Sequence, residues 1–591
     1  MQSGSGSQFG LWLQDDLAQG WLVAHAQANR PMVCLDLAAD ARTSLTRMTQ
    51  VLAEWVKTPG LAALHWVWVG APEQWPEEWP NQRPETIQSD LRFPSAHWPP
   101  PLPGIHRCWS KQGLRSVSLT IGLSDPGQLI NELMLSADWL MVDTKQASAS
   151  LAHLSHLVHP LTHWLSVSDD VVKPISVGAV EQTANRTTKP AVDPLLAWTQ
   201  AQQKAGDQVT ASNRRAVVIG AGISGLTMAA VLGARGWKVE VLDPHPPGTN
   251  SRHASHLAAA LTPVVSGDDN ERSQLSRAGA LAADRFWAAL PTVIGHRCGA
   301  LQLQRPQTLK RWVDLEAVSE AFAMPQWACW VDAQDASDAA GMALARGGLW
   351  MPGGWLIQVA RLLEVLAQMP GVNVIAGHAN RLRRQAGIWQ VIDSSAQVLA
   401  QAPLVIMANA ADTTALLQRS TFWPIDDVGT KFRLTGLHQL AGEVTCLPAQ
   451  VLGGGPACIV GGDGYVLPAV DGWCVSGGTY VRELSQTQCT PEGRQTNIQR
   501  AAALLNMPLL VDRLQTDDLP GWAGFRAVLP GRLPALGPLA SAGCEGLWMQ
   551  TAGASRGLTW SVLGAELVAD ALEGAPLALQ RSLLNHLLPG I

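Results

Sequence analysis

A chain of 591 residues exceeds what one hydrophobic core organises and implies about two to four domains. Hydrophobic content of 47% beside 15% charged residues excludes a largely disordered protein, and nine scattered cysteines without a CxxC pair argue for reduced cytoplasmic thiols rather than a disulfide framework or zinc site. A net charge of -6 supports no nucleic-acid partner beyond a local basic patch; the opening MQSGSGSQFG lacks a secretory signal's regions, and no apolar run reaches membrane-spanning length, so no membrane partner is expected.

In chain order, strand-like runs at Met32 to Leu35, Leu64 to Val69, Ser116 to Ile121 and Trp139 to Val142 alternate with helical text such as Leu45 to Val56, an α/β pattern. His153, His156, His159 and His163 form a histidine cluster that Pro160 interrupts, and no metal site is expected there. Residues 176–213 are polar and small, a linker with one short helix.

Then comes AVVIGAGISGLTMAAVLGARGWKVEVLD. An apolar strand to Ile219 meets Gly220, Ala221, Gly222, Ile223, Ser224 and Gly225, whose spacing turns a strand into a helix with its amino end free for a pyrophosphate. The next strand ends on Asp243, a carboxylate for an adenosine ribose. The competing reading is a glycine-rich turn without function. Further on, GGLWMPGGWLI (347–357) and GYVLPAVDGWCVSGGTY (464–480) suit antiparallel strands of a substrate domain. The run RLRR (381–384) reads as the solvated face of a turn, with phosphate contact as the alternative. PLVIMANAAD (403–412) predicts a strand returning beside the first, with Ala408 near a bound dinucleotide. GLWMQTAGASRGLTWSVLGAEL (546–567) reads as strand, turn and helix, with Gly553, Ser555, Arg556, Gly557 and Leu558 at the helix start. That amino end either faces a flavin, favouring its anionic reduced form, or closes a plain βα turn.

These segments together resemble the MnmC family of bifunctional tRNA wobble-uridine modification proteins. The carboxyl-terminal matches are VVIGAGISGL, ASHLAAALTPVVS, GGLWMPGGWL, PLVIMANA, GGDGYVLP, GFRAVLPGRLPALG and AGASRGLTWSVLGAELVA; the amino-terminal ones are DDLAQGW, PLPGIHR, LRSVSLTIG and ADWLMVDT. The resemblance implies a Rossmann-like methyltransferase-type domain at 1–175. After it comes a D-amino-acid-oxidase-like unit at 214–591, an FAD-binding doubly wound subdomain (about 214–290, 340–415 and 520–591) with an inserted antiparallel substrate subdomain (about 291–340 and 416–519). It further implies FAD-dependent oxidation of 5-carboxymethylaminomethyl-uridine in tRNA to the 5-aminomethyl form. The amine is oxidised to an imine that hydrolyses to glyoxylate, and dioxygen is reduced to peroxide. Arg526, in GFRAVLP, matches the carboxylate-binding arginine of related amine oxidases, and Tyr465 is read as a second carboxylate partner; a structural arginine and a core tyrosine are the alternatives. Arg556 is read as touching the ring, the tRNA or only solvent.

Departures from the family pattern concentrate in the first domain. Ala38, Asp40 and Arg42 stand where the glycine-rich loop should be, Gly70 where an acid should end the second strand, and Asp143-Thr144-Lys145-Gln146-Ala147 where the catalytic turn should be. Bound S-adenosylmethionine is therefore not expected. In the flavin half ASHLAAALTP supplies alanines for an Arg and a Gly, and Ala441 replaces an arginine. An oxidase of glycine or sarcosine and a non-catalytic RNA-binding remnant stay as alternatives, as does methyl transfer through an unrecognised pocket; the oligomeric state is not read from the sequence.

Overall fold

The computed structural model describes residues 8–27, 31–58, 63–75, 98, 100–112, 115–143, 151–168, 171–175, 195–208, 214–248, 251–304, 327–420, 433–482, 487–514, 519–539 and 544–589. The chain divides into two compact units: Met1–Thr210 with Leu567–His586, and Ala211–Glu566 with Leu587–Ile591.

In the first unit, strands β1 (Met32–Asp36), β2 (Ala63–Gly70), β3 (Gly104–Gln112), β4 (Arg115–Leu123), β5 (Ala137–Val142), β6 (Val158–Ser168) and β7 (Val171–Pro174) form one sheet in the order β3-β4-β2-β1-β5-β6-β7. The inner pairs are parallel and the two edge pairs antiparallel. β1, β2 and β5 are buried throughout, and apolar apart from Asp36, His65 and Asp138, because both faces of the sheet are covered. Helix Ala41–Lys57 covers one face with Leu45, Met48, Leu52 and Trp55, spaced at three and four residues. Leu129, Leu154 and Leu157 pack on the other. The order reverses between β1 and β5, where doubly wound sheets bind ligands.

Residues 567–586, which the sequence reading left in the oxidoreductase range, group with this first unit. The buried ion pair of Arg107 with Asp570, 2.7 Å, and the bond from Gln202 Nε2 to the Ala575 carbonyl, 2.8 Å, hold them there. Gln202 lies on helix Leu196–Gln208, the short helix expected in the linker; residues 176–194 and Thr144 to Ala147 fall outside the described residues.

The second unit is built on a six-stranded sheet. Its order is Val372–Ala376, β9 (Lys238–Asp243), β8 (Arg215–Ile219), Leu404–Met407, Leu547–Thr551 and Ala535–Pro538. All pairs are parallel except the last. The strand Leu404–Met407 therefore returns beside β8 as its text predicts. A mostly antiparallel nine-stranded sheet belongs to the same unit. It contains Gly464–Val470 and Trp473–Gly477 and also takes in Gly348–Met351 and Gly521–Val528, because strand pairing rather than sequence position decides membership.

Candidate active site

The glycine loop is shaped by close approach. Gly220 has φ +109°, and a Cβ there would lie 2.6 Å from the carbonyl oxygen of Ala408. One on Gly225 would lie 1.8 Å from the Gly220 carbonyl oxygen. Ala408, on the neighbouring strand end, thus packs directly behind the loop. Gly222 differs: it caps helix Ile223–Ala234 with no side-chain hydrogen bond, and a Cβ there would meet nothing within 4 Å. The space beside Gly222 lies at the positive end of a 12-residue helix, room and charge that suit a pyrophosphate. Asp243 accepts from the Ala221 amide at 2.7 Å and from the His245 amide at 2.7 Å. Each carboxylate oxygen keeps a further lone pair for ribose hydroxyls.

At the carboxyl-terminal turn, Ala552 and Ala554 sit at φ +59° and +50°, conformations that most L residues avoid. The Ala554 amide donates to the Ala527 carbonyl, 3.0 Å, tying the turn to the strand that carries Arg526. Ser555 is exposed, Leu558 is buried, and nothing lies within 4 Å of a Cβ added at Gly557. Arg556 is partly buried: Nη1 donates to the Thr262 carbonyl at 2.9 Å, and burial, aided by the charge of Arg272, pushes its pKa down to about 10.

The third group gathers on the nine-stranded sheet. Arg526 donates from Nη1 to the Thr479 carbonyl, 3.2 Å, and its guanidinium lies over the Tyr480 ring at 4.7 Å. Gly442 makes room for it, since a Cβ there would lie 1.8 Å from Arg526 Nη1. Burial drives the Tyr465 hydroxyl up to about 12 despite the opposing charge of Arg526, so the phenol keeps its proton at neutral pH. The chain has two tyrosines and both converge here.

Beside them stands a stack that the sequence reading missed. The His256 ring lies on Trp522 at 3.9 Å and 5°, His253 Nδ1 is 3.4 Å from His256 Nδ1, and Trp522 donates to the Arg252 carbonyl at 2.8 Å. Burial holds His256 well below the ordinary imidazole range, helped by His253 and Arg526, and lowers His253 to about 4. Both imidazoles are neutral at pH 7. Tyr480, Gly442, His253 and Trp522 carried little local signal; the tyrosine's rarity and the even spacing of Trp522 and Arg526 on one strand were the available hints.

In the first unit the corresponding loop is closed by its own side chains. Asp40 caps helix Ala41–Lys57, accepting from the Thr43 amide at 2.9 Å and from the Thr43 hydroxyl at 3.0 Å. Asp36 has no exposure, pairs with Arg47 at 3.3 Å and accepts from the Ala38 amide at 3.0 Å. Trp68 donates to the Ala39 carbonyl at 2.9 Å, and its ring covers Gly70, where a Cβ would lie 2.2 Å from Trp68 Cη2. Trp75 sits 5.8 Å from Trp68 and stacks on Trp98 at 4.6 Å.

Elsewhere, His159 bonds Asp138 at 3.0 Å and His163 stacks on Trp21 at 3.8 Å; no group of three metal-ligating side chains occurs among the described residues. RLRR is not a turn but lies in strand Arg381–Gln385, paired with Ile388–Ile392; Arg383 bonds Gln390 and Arg384 pairs with Glu545.

Residues 215–571 match the family model described as FAD dependent oxidoreductase, DAO. The "tRNA 5-methylaminomethyl-2-thiouridine biosynthesis bifunctional protein MnmC" of Cupriavidus metallidurans is 30% identical over 83% of this chain and 78% of its own length. The protein of that name from Cupriavidus necator is 31% identical over 84% of this chain and 80% of its own. Among solved structures, glycine oxidase from Geobacillus kaustophilus aligns with 62% of this chain and 96% of its own, at 19% identity and a TM-score of 0.49. No helix among the described residues is long and apolar enough to cross a membrane.

Proposed function

This chain belongs to the MnmC family, with an FAD dependent oxidoreductase as its larger part, and we propose that it oxidatively removes the carboxymethyl group from 5-carboxymethylaminomethyl-(2-thio)uridine in tRNA. The observation that supports this reading is the gathering of both tyrosines, Tyr465 and Tyr480, around the guanidinium of Arg526.

The substrate amine bears a carboxymethyl arm, and Arg526 presents a planar fork matched to its carboxylate. Tyr465, protonated across the neutral range, donates a second hydrogen bond to that group. Neutral His256 and Trp522 form an apolar wall that keeps water from the reacting methylene and adds no charge to compete with Arg526. FAD, when bound, supplies the two-electron acceptor. Its pyrophosphate is assigned to the amides from Gly220 to Gly225, its ribose to Asp243, and its ring end to the turn from Gly553 to Leu558, with Ala408 behind the loop. The first unit is assigned a structural role without methyl transfer, supported by the Asp40 cap and by Trp68 over Gly70.

The test is a visible spectrum of the purified chain followed by nucleoside analysis of tRNA after incubation. Flavin bands and loss of the carboxymethyl nucleoside are expected. Peroxide release from free glycine or sarcosine with tRNA untouched would replace this reading with a small amino-acid oxidase. Titration calorimetry with S-adenosylmethionine is expected to show no heat of binding.

A further inference from the structure

Tyr480 is 61% exposed, and an exposed aromatic ring by itself needs no explanation. This one is held in place. Just before it, Arg500 Nη1 donates to the Gly478 carbonyl at 2.8 Å and Arg526 Nη1 donates to the Thr479 carbonyl at 3.2 Å. Thr479 also exchanges two hydrogen bonds with Glu443: its amide donates to the Glu443 carbonyl at 3.2 Å, and its hydroxyl accepts from the Glu443 amide at 3.0 Å. Just after it, strand Val481–Arg482 pairs with Leu440 and Ala441. The ring carries the Arg526 guanidinium on one side, 4.7 Å from its centre. Its backbone and one face are therefore fixed, while most of its surface stays in water.

The other tyrosine of this group is placed differently. Tyr465 is half-buried, with its hydroxyl oxygen 2.8 Å from where a Cβ on Gly477 would lie. What Tyr465 offers is a hydroxyl among strands; what Tyr480 offers is an outer ring face beside the arginine assigned to the substrate carboxylate.

We propose that the outer face of Tyr480 is the platform on which the target uracil stacks, while Arg526, behind the ring, takes the carboxylate of its arm. This rests on the tRNA reading above. A base lifted out of an RNA strand loses its stacking neighbours, and an aromatic side chain replaces them. The distances agree. A base at van der Waals separation from the ring, about 3.5–4 Å, stands about 8 Å from the guanidinium on the far side. Extended, the methylene, nitrogen, methylene and carboxylate of the arm reach about 5–6 Å by ordinary bond lengths, and the hydrogen bond to Arg526 adds about 3 Å. The methylene on the base lets the arm leave the base plane and pass the ring edge, so one substrate engages both residues. A free amino acid has no base and gains nothing from Tyr480.

The test uses the full-length protein and two fluorescent anticodon stem-loop RNAs, one with unmodified uridine at the wobble position and one abasic there. Neither carries the carboxylate, so the comparison is blind to the contact made by Arg526. The wild-type chain is expected to bind the uridine RNA about tenfold more tightly than the abasic one, the scale of one base stacked on an aromatic ring. Tyr480→Ala and Tyr480→Leu should bind both RNAs alike, at the abasic affinity, and Tyr480→Phe should keep the preference. Flavin absorbance per chain and the melting temperature should stay at their wild-type values in all three, since the ring is no part of a core. A preference that survives in Tyr480→Ala and Tyr480→Leu, or a wild-type chain that converts the nucleoside yet binds the two RNAs equally, would overturn the platform and leave the tRNA reading standing. Loss of the preference in Tyr480→Phe as well would overturn it too, assigning the effect to the hydroxyl. A wild-type chain that neither binds nor converts the RNA sinks the tRNA reading first and this inference with it.

Discussion

In the oxidoreductase unit, the loop from Gly220 to Ile223 ends on a cap with no side chain and opens on empty space. In the amino-terminal unit, the loop from Leu37 to Ala41 ends on Asp40, whose carboxylate turns back onto Thr43. Both loops join the first strand of a parallel sheet to its helix. Every helix start has amides that need acceptors. Where the protein withholds them a ligand can supply them, and where an Asp carboxylate takes one of them its negative charge disfavours an anion at that helix end. The same contrast recurs one strand away: Asp243 ends β9 with lone pairs to spare, whereas Gly70 ends β2 beneath the ring of Trp68.

The largest effect that tests the contrast concerns Asp36. Arg47→Met leaves a buried carboxylate without its partner and should cost the first unit about 3–5 kcal/mol in denaturant unfolding, with flavin content untouched. Burial already raises the Asp36 pKa against the pull of Arg47. The native state therefore holds this proton above the unfolded pKa, and stability falls as pH rises from the ordinary carboxylate range to the raised one. Removing Arg47 should widen that window; a loss under 1 kcal/mol would mean that Asp36 is poised for a ligand rather than locked into the fold.

Next in size, Gly222→Asp copies the closed cap into the open loop. The backbone there, φ -80° and ψ -173°, accepts any residue, and a Cβ meets nothing, so the chain should fold. FAD affinity should drop on the order of a hundredfold, read as lost flavin absorbance, because the carboxylate occupies and repels the pyrophosphate position. Retained flavin would break the comparison.

A smaller effect comes from acid. His253 in the native state sits near 4, below its unfolded value, so the unfolded chain binds more protons between pH 6.5 and about 4. Stability of the second unit is full above that window and is lost as pH falls through it, by about 2 kcal/mol at pH 5 from His253 alone. Thermal melts at pH 7 and pH 5 read this, and His253→Phe should reduce the difference. The smallest effect is Asp40→Ala, about 1 kcal/mol against the first unit, with Asp40→Gly costing only a few tenths. Neither is expected to change the heat measured on titration with S-adenosylmethionine, since Trp68 still covers Gly70.

Local text was enough for the elements that local physics decides. β1, β2 and β5 are largely apolar runs of strand length, and the span from Ala216 to Asp243 holds strand, glycine turn, helix and acid in uninterrupted order. The lost glycines at Ala38, Asp40 and Arg42 were equally legible, because glycine's access to tight turns is a property of one residue. Tertiary pairing alone decided what surrounds Arg526. Arg526 meets Tyr480 only because strand Gly521–Val528 lies against His438–Pro448, with Gly442 bare beneath the guanidinium. RLRR, a turn by composition, became a strand through its pairing with Ile388–Ile392, and Asp570 left its own block of sequence to pair with Arg107. Periodicity and turn chemistry act over a few residues and can be read in order; the burial of a charge or the stacking of two rings depends on which distant segments share a face.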